Sequence, residues 1–285
     1  MDFIIYRKCS LSDDSKIIDV IRSVEDQKAL QADINRGVEW SNTWLMRFNV
    51  RKCKVMHVGK SNNKRSTHVY TMNDSSGATQ ELQETVLERD LGVLISNDLK
   101  LRPQVETAAA RANRVFGIFK RVFQCRSPRL WQTLYKTYIR PHLEFAIQAW
   151  SPYLEGDIDM LEKVQRRVTK HIQGLSGLTY DERLRVLGWT SLRARRERGD
   201  VILAFQYLYG NVVVDLNWQW LPPTGDGIRA NDAPRLAMPP LVRNCQQREH
   251  FYTQRVARSW RSLSATTANS DSLNEFKNNY DNSHS

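Results

Sequence analysis

The spacing of apolar positions changes near residue 100 and divides the chain into two regions of different character. Before that point the apolar runs are short. Residues 3–6 form one run, and Ile17, Ile18, Val20 and Ile21 another around the polar residues 10–16, which predicts a β-hairpin. Ser23 stands three residues before Asp26, the spacing of a capping box, and Leu30, Ile34, Val38, Leu45 and Phe48 follow near helical intervals. A long amphipathic helix to about Phe48 is expected. Residues 54–58, 69–72 and 91–95 then read as short strands between polar stretches rich in Asn, Ser and Gly.

From Pro103 onward the period is helical. Val105, Ala109, Ala112, Phe116, Phe119 and Phe123 trace one stripe, and Pro103 suits a first turn. Ser127 and Pro128 open a second helix through Leu130, Leu134 and Tyr138, which Pro141 should kink or end before it resumes toward Trp150. Ile158, Leu161, Val168 and Ile172 mark a third helix, Thr179 with Glu182 opens a fourth that Gly188 closes, and a fifth covers residues 190–209. Five of the nine prolines fall between Pro222 and Pro240, which predicts a linker and a domain boundary. Beyond it Phe251, Val256, Trp260 and Leu263 suggest one helix, and Leu273, Phe276 and Tyr280 a last one. The expected fold class is α+β, mainly helical, with domains at 1–98 and 99–210, a linker at 211–244 and a helical tail at 245–285. Residues 100–210 are expected to fold by themselves.

Charge sharpens this division. The chain carries +11, and residues 102–200 hold 19 Lys and Arg against 10 Asp and Glu, so a surplus of 9 lies in the helical block. A localised basic surplus points to an anionic partner, nucleic acid being the commonest. Arg111, Arg114 and Arg121 fall roughly opposite the first apolar stripe; Lys163, Arg166, Arg167 and Lys170 share one face; Arg193, Arg195, Arg196 and Arg198 crowd the fifth helix. Each face alone reads as solvated surface, but together they would make a track for phosphates. Cys9, Cys53, Cys125 and Cys245 are too scattered for a zinc site and read as reduced thiols. No apolar stretch is long enough to span a bilayer, so no membrane partner is expected and an intracellular place follows, with nucleus and cytoplasm both open.

One short constellation carries possible chemistry. Adjacent aspartates at a hairpin tip, here Asp13 and Asp14, are a way to hold two divalent metals for in-line phosphoryl transfer, although the same tetrapeptide is ordinarily a plain turn. A colinear series follows it: Trp40, Trp44, Met46, Arg47, Phe48 and Asn49; Lys52, Cys53, Lys54 and Val55 through Gly59; Asp90, Leu91, Gly92 and Val93. Further on come Leu134, Tyr135 and Lys136; Arg140, Pro141, His142 and Leu143; Trp150, Ser151, Pro152 and Tyr153; Leu161, Glu162, Lys163 and Val164; and Tyr180, Asp181, Glu182 and Arg183.

Over nearly its whole length this series resembles the end of the reverse transcriptase of jockey-like LINE elements, which are non-LTR retrotransposons. The resemblance implies a partial palm, a helical thumb that grips the template and primer duplex, and a tail. It assigns Asp13 and Asp14 as catalytic carboxylates and Mg²⁺ ligands, and places Lys52 near the incoming nucleotide or in simple packing. Leu11 and Ser12 depart from the aromatic and Ala usual before the paired aspartates. Only twelve residues precede Asp13, so the fingers and the further metal-binding carboxylate lie outside this sequence. The expectation is therefore an RNA-directed DNA polymerase relic, inactive alone, which binds RNA or DNA duplex without sequence preference and takes no small-molecule substrate. The alternative is a helical interaction module whose basic faces meet acidic protein partners.

Overall fold

Ser23 caps the first long helix as its spacing predicts: its hydroxyl accepts from the Asp26 amide at 3.2 Å and its own amide donates to the Asp26 carboxylate at 2.9 Å. The structure, a computed structural model, describes residues 6–11, 14–59, 68–74, 76–209 and 245–284, with side chains from residue 16 onward. The described chain is mainly helical with small sheets, and it divides into two units, Met1–Pro103 and Gln104–Ser285.

In the first unit β1 (Tyr6–Leu11) and β2 (Asp14–Ile18) form the predicted antiparallel hairpin, with Leu11 opposite Asp14. Helix α1 (Val24–Thr43) follows, then β3 (Lys54–Val55), β4 (Thr71–Asn73), β5 (Thr79–Glu81), β6 (Gln83–Glu84), β7 (Leu87–Asp90) and β8 (Val93–Ser96). These strands make three further two-stranded pieces, β3 with β6 in parallel and the pairs β4–β5 and β7–β8 antiparallel. The strand expected at 91–95 starts two residues late. Leu91 and Gly92 have φ of 45° and 88° and form the tight turn of the β7–β8 hairpin, where positive φ at both positions matches the strand twist.

Ile34 on α1 meets Val50, Tyr70 and Met72 in a small core, with Leu30, Val38 and Phe48 packed against it. Gln31 fixes α1 to β4 like an extra strand residue: its amide nitrogen donates to the Thr71 carbonyl at 2.9 Å, and its oxygen accepts from the Thr71 amide at 3.0 Å.

The helical unit opens with α2 (Arg102–Val122), which buries Val105, Ala108, Ala109 and Ala112. Next, α3 (Pro128–Leu134) passes into a π turn at Tyr135–Ile139 and on into α4 (Arg140–Glu144). Pro141 explains the turn, because it has no N–H for the carbonyl four residues back and its ring crowds that carbonyl, so the ladder shifts by one residue upstream. Ala146 at φ 51° then turns the chain into α5 (Ile147–Trp150).

Helix α6 (Glu155–His171) is followed by α7 (Tyr180–Leu187), which has the expected Thr179 and Glu182 capping box and a left-handed Gly188 at its end. Next is α8 (Leu192–Leu208), and after residues outside those described come α9 (Gln246–Glu249), α10 (Tyr252–Arg261), α11 (Ala265–Ala268) and α12 (Leu273–Ser283).

The C-terminal segment is not a separate tail. Val201, Ala204 and Phe205 of α8 share one core with Val256, Ala257 and Trp260 of α10 and with Phe276 and Tyr280 of α12. This corrects the expected division at 99–210 and 245–285. Proline density in the sequence predicts a boundary, but the elements on either side of residues 211–244 bury their apolar faces against each other. The expected linker at 211–244 lies outside the described residues. Among the described residues no helix is long and apolar enough to cross a membrane.

Candidate nucleic-acid interface

The three basic faces read from the sequence have different fates. On α8 the arginines are structural. Arg193 clasps Glu155 through one nitrogen at 2.5 and 2.6 Å, Arg195 is bidentate on Glu144, and Arg198 is bidentate on Asp281 at 2.6 and 2.8 Å. Arg196 is buried, 3% exposed. The expectation that Arg193, Arg195 and Arg196 belong to an open phosphate track is therefore corrected. The carboxylate partners of Arg195, Arg193 and Arg198 come from α4, α6 and α12, far away in sequence; Arg195 and Arg198 are each held through two nitrogens and Arg193 through one.

On α6 the stripe is divided. Asp159 pairs with Lys163 at 2.9 Å and also with Arg166, whose guanidinium lies 5.1 Å from the Tyr180 ring centre. The two cations pull the Asp159 carboxyl below its usual range. Arg167 and Lys170 on the same helix are exposed and have no ion pair among the described residues. Arg167 instead donates to the Asn113 side chain of α2 at 3.1 Å, which joins the two helices.

Around that contact the cations accumulate. At ~100° per residue, Lys120 lies on the same side of α2 as Asn113, while Arg114 and Arg121 flank it and Arg111, half-buried, stands well round the helix. The Gln173 amide donates to the Arg126 carbonyl at 2.9 Å, bringing the loop after α2 to the end of α6. Lys120, Arg126, Arg167 and Lys170, with Arg114 and Arg121 beside them, are all exposed and none has a carboxylate partner among the described residues. Lys120 and Arg126 were not among the sequence candidates. The seven-residue step from Asn113 to Lys120 was legible, but Arg126 is placed by a loop contact that no helical period encodes.

His171, the last residue of α6, reports the field of this patch. It sits edge-on to Trp131 at 4.5 Å and to Phe116 at 5.7 Å, and its buried Nε2 has no hydrogen-bond partner. Burial first, then the charges of Arg126 and Lys120, depress its pKa. The unfolded chain takes up a proton near about pH 6.5 that the folded chain resists, so stability is full above that pH and falls as pH drops through it. His171→Phe, which keeps a ring against Trp131, should flatten the difference in urea midpoint between about pH 7.5 and 5.5. An unchanged difference would show that other groups govern the slope.

The expected catalytic pair is placed only in part. Asp13 lies outside the described residues; Asp14 begins β2, its side chain also outside them. Nearby, Lys16 is bonded to Asp90. Lys52 is exposed at the end of a 3₁₀ turn. Among the described residues no group of three His, Cys, Asp or Glu side chains could hold a metal ion, so the Mg²⁺ expectation stays with the sequence resemblance alone. Cys53, Cys125 and Cys245 are free thiols.

Comparison of the chain with protein-family models, with curated proteins and with solved structures gives no match.

Proposed function

We propose that the helical unit binds nucleic-acid duplex without sequence preference, through the face formed by Lys120, Arg126, Arg167 and Lys170 and flanked by Arg114 and Arg121. One observation carries this reading: these exposed cations have no carboxylate partner among the described residues, whereas those of α8 are paired or buried. An unpaired surface cation can replace a condensed counterion on a phosphate, and the released ions drive binding. Contacts to phosphates carry no base information, so preference for one sequence is not expected. The resemblance to the thumb of jockey-like LINE reverse transcriptases points the same way. In this reading the chain is the duplex-holding end of such an enzyme and does not polymerise by itself.

The test is a duplex titration over a range of salt concentrations. Lys120→Ala, Arg167→Ala and Lys170→Ala together should weaken binding about 10- to 100-fold and lower the salt slope by roughly 2–3 units. Lys163→Ala with Arg166→Ala should do less, because both side chains are held by Asp159, whose single charge offsets one of theirs. Equal effects from the two sets would remove the face from consideration. Saturable binding to polyglutamate with indifference to duplex would transfer it to an acidic protein partner.

A further inference from the structure

Helix α2 carries a second apolar stripe that the fold leaves open. Val105, Ala108, Ala109 and Ala112 are buried, and Phe119 and Phe123 continue their side of the helix, edge-on to each other at 5.8 Å. About a quarter turn round the axis, at ~100° per residue, stand Val115, Ile118 and Val122. Ile118 is 43% exposed and Val122 65%, with Val115 half-buried. Tyr138 of the π turn, 54% exposed, meets the edge of Phe119 at 5.5 Å, so the apolar surface runs on from α2 to that turn. Single exposed apolar side chains are ordinary, but a contiguous row of them marks a contact surface.

The row has the spacing that one helix offers to another. Val115, Ile118 and Val122 are separated by three and then four residues, the alternation of the a and d positions of a helix pair. Arg114 and Arg121, seven residues apart, fall at the g positions beside them, where charges choose the partner. Both arginines are exposed and neither has a carboxylate partner among the described residues. No Asp or Glu occurs in residues 107–143, so α2 from this point on offers the row no acidic neighbour.

This charge pattern selects the occupant. A second copy of the seam would set arginine against arginine in an antiparallel pair, or against Phe119 in a parallel one. Phosphates would engage the arginines but leave Ile118 and Val122 in water. A helix with an apolar stripe and carboxylates along its edge answers both features. We propose that the seam of Val115, Ile118 and Val122 docks an acidic amphipathic helix of a partner protein, whose apolar stripe reaches Tyr138 and whose carboxylates pair with Arg114 and Arg121. Its apolar contacts use no side chain of the duplex face, although the two arginines border both.

The experiment is fluorescence anisotropy of the full chain with a dye-labelled three-heptad peptide, Leu at a and d and Glu at e and g, kept monomeric by its own like charges. This peptide should bind at micromolar concentration and gain helicity, whereas its Lys-for-Glu version and polyglutamate should each bind at least about 10-fold more weakly. Ile118→Ser with Val122→Ser should weaken the acidic peptide roughly 10- to 100-fold and leave the melting temperature, the duplex affinity and its salt slope unchanged, because both side chains are exposed. Arg114→Glu with Arg121→Glu should transfer preference to the Lys peptide. Equal binding of the Glu and Lys peptides, or undiminished binding by the Ser variant, would overturn the proposal. So would an unbound acidic peptide alongside self-association, or binding to phosphatidylserine vesicles, that the Ser variant abolishes. Loss of duplex binding in the Ser variant would place the seam in the duplex face instead.

Discussion

A chain cut after Tyr209 should lose the cooperative unfolding of its helical unit. The cut removes α10 and α12, which supply Val256, Ala257, Trp260, Phe276 and Tyr280 to the core they share with α8, and it uncovers Val201, Ala204 and Phe205 together with Ile202, Leu203 and Leu208 packed beside them. Each large apolar side chain so exposed forfeits about 1.5–3 kcal/mol. Three or four of them match the whole stability of an ordinary domain, about 5–15 kcal/mol. The expected outcome is near-native far-ultraviolet circular dichroism with a lost near-ultraviolet signal, dye binding and aggregation. A cut chain that melts in one sharp step near the parent midpoint would instead support the sequence expectation that residues 100–210 fold by themselves.

Replacing Asp200 by Ala should cost about 3–5 kcal/mol, because it strands a largely buried guanidinium. Asp200 is 4% exposed and holds Arg255, which also donates to the Gln148 carbonyl at 2.7 Å and to the His250 carbonyl at 3.3 Å. One side chain thus ties α5, α8 and the start of α10. Burial, the largest influence, pushes the Asp200 pKa up although Arg255 works against it, the mark of a pair whose desolvation is not fully offset. Asp200→Leu with Arg255→Met should accordingly regain most of what Asp200→Ala loses. Urea denaturation of the parent and the two variants decides this; a loss below about 1 kcal/mol in Asp200→Ala would show that Arg255 finds other partners.

What the sequence disclosed and what it withheld divide by distance along the chain. Ser23 with Asp26, Thr179 with Glu182, and Gly188 are local devices, and their helices begin or end where the spacing predicts. The β5 and β6 strands were not legible, because Thr-Gln-Glu and Gln-Glu carry no apolar alternation and are ordered by pairing with β4 and β3. The α8 arginines show the limit most plainly. Their helix was predicted, but Glu144, Glu155 and Asp281, which occupy them, stand 38 to 83 residues away, and no helical period records such a match. The basic face is mixed: Arg167 and Lys170 of α6 were legible, and so was Asp159, four residues before Lys163 at helical spacing, whereas the contributing Arg126 is placed by a loop.

The place of α8 between two layers sets the timing of biogenesis. It packs against α4, α5 and α6 on one side of the sequence and against α10 and α12 on the other. On the ribosome, α2 through α8 emerge first, with the Phe205 side of α8 still bare. Among the described residues its cover begins only with Tyr252, Val256 and Trp260, and Phe276 and Tyr280 come later still. The helical unit therefore completes its fold only after Tyr280 has cleared the exit tunnel, and until then the nascent chain presents a sticky helix that a chaperone of the emerging polypeptide would engage.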